Sequence, residues 1–248
     1  MFNKNNIYKL KEVKNNNLIL YTHLGLGDQI ICNGLTNYIS KSVGTVHLPV
    51  FKRNFDNINF LYSENSNVNL FLVDDNNEKD SIKEYAKKNK LQILNIGFNK
   101  IKKQSFNTAF YNQLGLDYQI SFDYFYTPKD TVKQKLLEEH LFEYYKIDKS
   151  KRYNLIHSTS SRATHPLRRT KIDNEIFVEK ESDLFKNIFL YESLILNANE
   201  IHCMNSSFIH IVERVETKAT LFYHEIREPS SLKLFKNWNV VNYEQPLT

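Results

Sequence analysis

The feature that most constrains the fold of this chain is a glycine-containing turn between a short apolar run and a helical pattern. Residues 18–30 read Leu-Ile-Leu-Tyr-Thr-His-Leu-Gly-Leu-Gly-Asp-Gln-Ile. This order predicts a buried strand, a tight turn, and a helix whose first turn carries Asp28. In open α/β sheets such turns direct helix N-termini into a crevice beyond the carboxyl ends of the strands. The sequence therefore predicts an α/β fold with a ligand site at this turn, lined by His23, Gly25 and Gly27.

The turn departs from the fingerprint of dinucleotide-binding proteins. That fingerprint needs a glycine or alanine at the position of Ile30. A carboxylate at the helix N-terminus would also repel a pyrophosphate, so the turn is suited to presenting Asp28 rather than to receiving a phosphate. A Rossmann-type oxidoreductase is disfavoured on this ground. The alternative interpretation of Asp28, that it only complements the helix dipole, stays open.

Composition indicates a folded protein without a strong bias toward nucleic acid. Of the 248 residues, 41% are hydrophobic, which is enough to build a substantial core. The 33 basic and 28 acidic residues give a net charge of only +5, so we expect no nucleic-acid partner. Two cysteines exclude a disulfide framework and favour a reducing, cytoplasmic location. We expect neither a signal peptide nor a transmembrane segment, and contact with a membrane surface stays open.

Strand and helix patterns alternate along most of the chain, which predicts mainly parallel sheets with helical crossovers. A long helix is expected from Thr127 and Pro128 through about Tyr145. The polar residues 148–152 form the predicted hinge, so the sequence predicts two α/β domains, 1–147 and 148–248. We expect the two Rossmann-like units to face each other across a ligand-binding cleft.

A loop rich in hydroxyl groups opens the second predicted unit. Directly after the strand at 153–156, four candidate ligand residues follow: Ser158, Thr159, Ser160 and Arg162. Arg168 and Arg169 come a few residues later. Hydroxyls combined with guanidinium groups are suited to holding a diphosphate, because arginine supplies forked donors that stay charged. The alternative is a flexible polar loop with solvated arginines.

A second polar motif lies near the end of the chain, where a strand pattern gives way to a helical one. Asn205, Ser206 and Ser207 occupy the expected helix N-terminus, and His210 follows one turn later. We expect these groups, with Arg214, on the polar side of the helix, where backbone N–H groups and hydroxyls could hold a phosphate. The alternative is a simple N-cap followed by a surface histidine.

The sequence offers little to hold a metal ion. Asp74 and Asp75 follow a predicted strand, but they are adjacent rather than separated by one residue, so they are expected to end the strand. The 8 histidines and 2 cysteines show no zinc-binding spacing. We therefore expect no metal and no cofactor.

Taken in this order, the three motifs resemble the GT-B glycosyltransferases of the lipopolysaccharide heptosyltransferase type, glycosyltransferase family 9. The resemblance rests on Gly27-Asp28, on residues 157–162, and on residues 205–207 with His210. It implies a metal-independent, inverting enzyme of polysaccharide biosynthesis, which moves a sugar from a nucleotide-sugar donor to a hydroxyl of a glycan or lipid-linked acceptor. It also implies that Asp28 is the base on the acceptor side, in 1–147, and that 148–248 binds the donor.

Some positions differ from the family pattern. The family usually has Asp-Ser/Thr-Gly where this chain has residues 205–207, and a lysine often follows the hydroxyl loop where this chain has arginines. Two alternatives therefore stay open. One is a non-catalytic nucleotide- or glycan-binding module of the same fold. The other is a CMP-sugar-dependent, sialyltransferase-like enzyme, suggested by His165-Pro166 and Ser206-Ser207.

The predicted role of Asp28 makes one physical demand on the structure. A helix N-terminus lowers the pKa of an acid, whereas a base that acts near neutral pH needs a raised one. Asp28 must therefore be buried if it is to act as the base.

Overall fold

The computed structural model describes residues 6–14, 16–97, 105–160, 163–171, 173–226 and 232–243. The chain forms two compact units that divide between Pro128 and Lys129. Each unit is built on one five-stranded parallel sheet. The predicted α/β class is therefore confirmed, and the cleft expected between the units stays a prediction.

The sheet of the first unit has the strand order β1-β5-β2-β3-β4. Its central strand is β2, whose Leu18, Ile19 and Leu20 are fully buried because both faces of the sheet are covered there. The chain runs outward through β3 and β4 and then returns, so that β5 pairs with the other edge of β2. The strands are β1 (Asn6–Ile7), β2 (Asn17–Tyr21), β3 (Thr45–Phe51), β4 (Val68–Val73) and β5 (Gln92–Asn95).

Helices connect the strands of the first unit, as the alternating pattern predicts. A tight 3₁₀ turn, Lys52–Asn54, also follows β3. The helices are α1 (Leu26–Ile31), α2 (Asn33–Ser42), α3 (Phe55–Tyr62), α4 (Glu78–Asn89), α5 (Phe106–Asn112) and α6 (Ile120–Asp123).

The second sheet is also parallel but has a different strand order, β10-β9-β8-β6-β7. Here the direction reverses at β6, since β7 pairs with one edge of β6 and β8 with the other. The strands are β6 (Asn154–His157), β7 (Glu175–Phe177), β8 (Glu200–Met204), β9 (Thr220–Glu225) and β10 (Trp238–Asn242). The helices are α7 (Thr131–Tyr144), α8 (Glu192–Asn197) and α9 (Ser207–Val212), with a 3₁₀ turn at Ile188–Tyr191.

The long helix α7 belongs to the second unit, because it packs on α8 and on the 3₁₀ turn before it. The structural division therefore lies before the boundary that the sequence predicts between 147 and 148. The buried face of α7 carries Gln134, Leu137 and Leu141, spaced three and four residues apart. Its N-cap is Asp130, whose side chain accepts the backbone N–H of Lys133 at 2.9 Å, rather than Thr127. None of the helices described here is long and apolar enough to cross a membrane.

Candidate active site

Asp28 lies at the point where the strand order of the first sheet reverses. The turn after β2 ends at Gly25, the N-cap of α1, and places Asp28 in the first turn of that helix, with Gly27 beside it. In open α/β sheets this reversal opens a crevice beyond the carboxyl ends of the strands. The structure therefore puts the Asp28 carboxyl group where a sheet of this topology binds ligands.

Gly25 makes room for the carboxyl group of Asp28. Its backbone has φ −64° and ψ 148°, an extended conformation that any residue can adopt. A Cβ atom at this position, however, would overlap Asp28 Oδ2. Glycine is needed here for the space next to Asp28 and not for its backbone freedom.

Burial raises the pKa of Asp28 to about 7, although the backbone N–H groups of Asp28 and Gly25 favour the charged form. The side chain is 17% exposed, and its Oδ1 atom is buried without a hydrogen-bond partner. His23 Nδ1 lies 3.8 Å from Oδ1, beyond hydrogen-bond distance. The carboxyl group thus combines a pKa near neutrality with an unused acceptor atom, as a general base requires.

The ring of His23 packs against the helix α5. Its ring contacts Phe106 and Phe110, with centroids 5.8 and 5.5 Å apart. Burial lowers the pKa of His23, and the nearby charge of Glu78 opposes that shift. Gly97, directly after β5, has φ +90°, and a Cβ atom there would come within 2.9 Å of Phe110.

Gly97 was missed in the sequence analysis. Its signal was present, because it is an isolated glycine just after a predicted strand.

An open cavity of about 690 Å³ lies at the carboxyl ends of β3 and β4 in the same unit, lined in part by Lys52 and Asp74. Asp75 forms an ion pair with Arg53, and Asp74 accepts the backbone N–H of Asn76 at 2.8 Å. The two aspartates therefore end a strand, as the sequence predicts. Among the described residues, no group of histidines, cysteines and acids is arranged to hold a metal ion.

The hydroxyl-rich loop of the second unit is a tight hairpin in its described part. Thr159 and Thr164 form an antiparallel bridge. The backbone N–H of Ser160 donates to Ala163 at 2.9 Å, and that of His165 donates to Ser158 at 2.9 Å. Arg162, the predicted cation at its tip, lies outside the described residues.

The N-terminus of α9, which the sequence predicts as a ligand site, follows the carboxyl end of β8, next to the strand that leads into this hairpin. β6 and β8 are paired neighbours, with His157 opposite Cys203, so the segments that follow them leave the sheet side by side. Ser206 is the N-cap of α9, and its Oγ is buried without a hydrogen-bond partner. The structure thus brings residues 158–160 and 205–207 to the strand reversal of the second sheet.

The sequence predicts His210 on the polar side of its helix, and this prediction is wrong. His210 is 6% exposed. The whole of Phe208–Val212 is buried, and Lys236 Nζ donates to Val212 O at the end of α9. Burial, assisted by the charge of Arg214, lowers the pKa of His210 to about 3. His210 is therefore neutral at physiological pH.

Arg169 is also placed differently from the prediction. It forms a buried ion pair with Glu175, so its guanidinium is already engaged.

His157 is a candidate ligand residue that the sequence motifs did not single out, since it was predicted only as the residue before the hydroxyl loop. Its Nδ1 bonds to Val178 O at 2.9 Å, and its Nε2 is buried without a partner. Burial lowers the pKa of His157 to about 4, so Nε2 is a neutral acceptor.

The chain has two α/β units, and each is built on a sheet of parallel strands with polar residues at its strand reversal. This is the GT-B-like class of fold that the motifs predict. The chain is similar to a glycosyl transferase family 9 structure from Veillonella parvula DSM 2008, with a TM-score of 0.57 and 10% identity, covering 91% of this chain and 85% of that one. It is also similar to the ADP-heptose lps heptosyltransferase II of E. coli, with a TM-score of 0.52 and 9% identity, covering 91% and 89%. No protein-family model and no curated protein matches the sequence. At these identities the similarity establishes the fold.

Proposed function

We propose that this protein is a metal-independent, inverting glycosyltransferase that moves a sugar from a nucleotide-sugar donor to a hydroxyl of a glycan or lipid-linked acceptor. The proposal assigns the acceptor to the first unit and the donor to the second. It agrees with the two glycosyltransferase structures to which the fold is similar.

The observation that carries the proposal is the state of Asp28. Its carboxyl group is buried at a strand reversal, keeps one oxygen without a partner, and has a pKa raised to about 7. A carboxylate that only complements a helix dipole would be exposed and would have a lowered pKa. The observed properties suit a base that works near neutral pH.

The chemistry needs one proton transfer and one displacement. The Asp28 carboxylate takes the proton of the acceptor hydroxyl as that oxygen attacks the anomeric carbon. The bond from this carbon to the diphosphate oxygen breaks, and the nucleoside diphosphate leaves with the electron pair. Attack opposite the leaving group inverts the anomeric centre.

The second unit supplies candidate groups for the diphosphate. Ser158 and Thr159 carry hydroxyls in the segment beside Ser206, whose Oγ has no hydrogen-bond partner, and the Ser160 hydroxyl would have to exchange its bonds to Ala163 for the ligand. Asn205 and Ser207 flank Ser206, and His157 Nε2 can accept a hydrogen bond from a hydroxyl of the ligand. We assign Arg162 as a cation for the leaving group on its position in the sequence alone.

A nucleotide panel tests donor binding first. We expect one of ADP, UDP, GDP or CMP to raise the melting temperature, because a ligand at 100 times its dissociation constant stabilises a protein by about 2.7 kcal/mol. A response to CMP alone would favour the sialyltransferase-like alternative. The shift should be unchanged in EDTA, and its loss there would contradict metal independence.

Substitution of Asp28 then tests the chemistry. Release of the nucleotide from the matching nucleotide sugar should fall about 100-fold or more in Asp28→Asn, with the thermal shift retained. In the wild type the rate should rise with pH through about 7, as the carboxyl group ionises. Asp56→Asn, an exposed acid in the first turn of α3, is the matched control and should keep full activity. Full turnover by Asp28→Asn would refute the assigned role.

The non-catalytic alternative makes a different prediction. A binding module would show the thermal shift but would release no nucleotide, even with the wild-type protein. The two assays therefore separate the enzyme from the binding module.

A further inference from the structure

One face of the second sheet is crossed by a loop rather than by a helix. The connection from β6 to β7 contains no helix in its described part, residues 158–160, 163–171 and 173–174. Side chains on this face come from alternate positions of paired strands, and they include Asn154, Glu200, His202, Phe222 and His224. Parallel sheets usually carry apolar side chains on both faces. A row of polar groups here therefore needs its own explanation.

These polar groups form a continuous chain of hydrogen bonds. Glu200 Oε2 lies 3.1 Å from His202 Nε2, and His202 Nδ1 lies 3.0 Å from His224 Nε2. His224 Nδ1 lies 2.9 Å from the hydroxyl of Tyr243, which also accepts the backbone N–H of Arg168 at 2.7 Å. The chain thus ties the loop, the last strand and the middle of the sheet together.

Burial lowers the pKa of both His202 and His224, which favours their neutral forms. With both imidazoles neutral, only one set of proton positions satisfies every hydrogen bond of the chain. Because a carboxylate can only accept, His202 Nε2 must donate to Glu200. His202 Nδ1 is then an acceptor, so His224 Nε2 donates to it. His224 Nδ1 in turn accepts from the hydroxyl of Tyr243. All donors point toward Glu200, which ends the chain as a fixed carboxylate.

Glu200 has one oxygen left for a ligand. Its Oε2 receives His202 Nε2 and Asn154 Nδ2, each at 3.1 Å. Its Oε1 has no hydrogen-bond partner among the residues that the structure describes, and the side chain is 34% exposed. The side chain of Asn199 donates to Asn154 and keeps its own Oδ1 as a second acceptor. Two neighbouring residues therefore each keep an acceptor atom for a ligand.

Both acceptors open into a cavity of about 390 Å³, a size typical of small-molecule sites. The cavity wall also contains the ring of Phe222 and the guanidinium of Arg168, which stacks on Tyr243. Its other arginine, Arg169, is neutralised by Glu175. The remaining charges of Arg168 and Glu200 cancel, so the wall favours a ligand without net charge.

We propose that this cavity is a second ligand site, which takes a neutral sugar residue. Sugar hydroxyls both donate and accept, as the acceptors of Glu200 and Asn199 and the donors of Arg168 require. One face of the Phe222 ring stacks on His202 with centroids 4.5 Å apart, and the other face offers an apolar surface to the C–H face of the sugar. The site lies at the amino ends of β6 and β8, whereas the proposed donor residues follow the carboxyl ends of the same strands. It is therefore independent of the proposed transfer reaction.

Saturation-transfer difference NMR on the full chain tests this site. The probes are free glucose, galactose, mannose and N-acetylglucosamine at tens of millimolar. We expect at least one sugar to receive saturation from the protein and its affinity to fall about tenfold or more in Glu200→Gln, which keeps the shape of the side chain but loses its charge. Phe222→Leu should also weaken binding.

Glu216→Gln, an exposed acid of the same unit outside both sites, is the matched control and should bind sugar as the wild type does. A nucleotide that raises the melting temperature should not displace the sugar. The proposal is overturned if none of the four sugars receives saturation from the folded protein. It is also overturned if binding survives in both Glu200→Gln and Phe222→Leu, or if nucleotide displaces the sugar.

Discussion

At the scale of single residues, Asp28 shows two opposing influences on one carboxyl group. The helix N-terminus and two backbone N–H groups favour the charged form, whereas burial favours the neutral form. Burial has the larger effect, so the pKa rises to about 7. The acid and the helix start are visible in the sequence, but the depth of burial depends on side chains that are distant in the sequence.

Gly25 allows a direct test of how closely the carboxyl group is held. In Gly25→Ala the new Cβ atom would overlap Asp28 Oδ2, so the carboxyl group would have to rotate away from its observed position. An off-rotamer side chain costs about 1 kcal/mol, and a shift of about 1 Å in a catalytic group lowers a rate about 100-fold. We therefore expect a small loss of stability and a large loss of nucleotide release.

A double-mutant cycle with Asp28→Ala isolates this contact. Without the carboxyl group, Gly25→Ala should stabilise the protein by about 0.5 kcal/mol, because alanine restricts the unfolded chain and fits the observed backbone angles. Urea unfolding of the four proteins measures the coupling. If Gly25→Ala has the same effect in both backgrounds, Gly25 does not position Asp28.

The pairing of charged residues could not be predicted from their types alone. Arg169 and Glu175 are close in sequence, but their ion pair forms because β7 returns next to the loop that carries Arg169. His210 has polar neighbours at helical spacing, yet it is only 6% exposed in the folded chain. Residue type gave the candidates, and tertiary contacts decided which of them stay available.

At the scale of elements, the long apolar and periodic segments were predictable. The patterns at 46–50, 67–73 and 91–96 predict strands, and β3, β4 and β5 begin and end within one residue of these bounds. β1 was missed, since two residues with only Ile7 buried give no period. The helical spacing of Val132, Leu136, Leu141 and Tyr144 predicts an apolar stripe along α7, but only Leu141 of these residues is buried.

Gly34 illustrates a contact between elements that no local pattern indicates. It lies inside α2, and a Cβ atom there would come within 2.6 to 2.9 Å of backbone atoms of Ile120 and Ser121 in α6. Alanine in place of glycine normally stabilises a helix by about 1 kcal/mol. Here the obstacle is backbone, which cannot turn aside, so the cost of overpacking, about 1 to 3 kcal/mol, should exceed that gain.

We therefore predict that Gly34→Ala lowers the free energy of unfolding, as measured in urea. Ser42→Ala, at the exposed end of the same helix, is the control for helix propensity and should leave stability within about 0.5 kcal/mol of the wild type. A stabilised Gly34→Ala protein would mean that α2 and α6 do not pack as closely as described.

At the scale of the whole molecule, both units are built on a five-stranded parallel sheet, but they differ in how their buried groups respond to pH. In the first unit, Asp28 has a pKa raised from 3.8 to about 7. Its contribution to stability is complete below about pH 4 and is lost as the pH rises through 7. His23 and His47 in that unit are only partly buried, and their lowered pKa values oppose this trend.

The second unit contains three histidines whose pKa values burial lowers to between about 3 and 4: His157, His210 and His224. Their unfolded pKa is 6.5, so the unfolded state binds protons more readily. Their contribution to stability is complete above about pH 7 and is lost as the pH falls toward the folded values. Between pH 7 and pH 5 each should cost about 2 kcal/mol, whereas Asp28 should gain about 2 kcal/mol for its own unit.

Burial also raises the pKa of Asp183 in the second unit, which opposes the effect of the histidines there. Because the three histidines outnumber this one carboxyl group, acidification from pH 7 to pH 5 should weaken the second unit more than the first. Hydrogen exchange followed by mass spectrometry, corrected for the intrinsic pH dependence of exchange, resolves the two units. We expect protection to fall in β8 and β9 and to hold or rise in β2 and β3. Asp28→Asn should abolish any gain in β2 and β3, because it removes the carboxyl group whose raised pKa produces that gain. The loss of protection in the second unit should be unchanged. Equal loss of protection in both units would contradict the opposite signs derived from Asp28 and the three histidines.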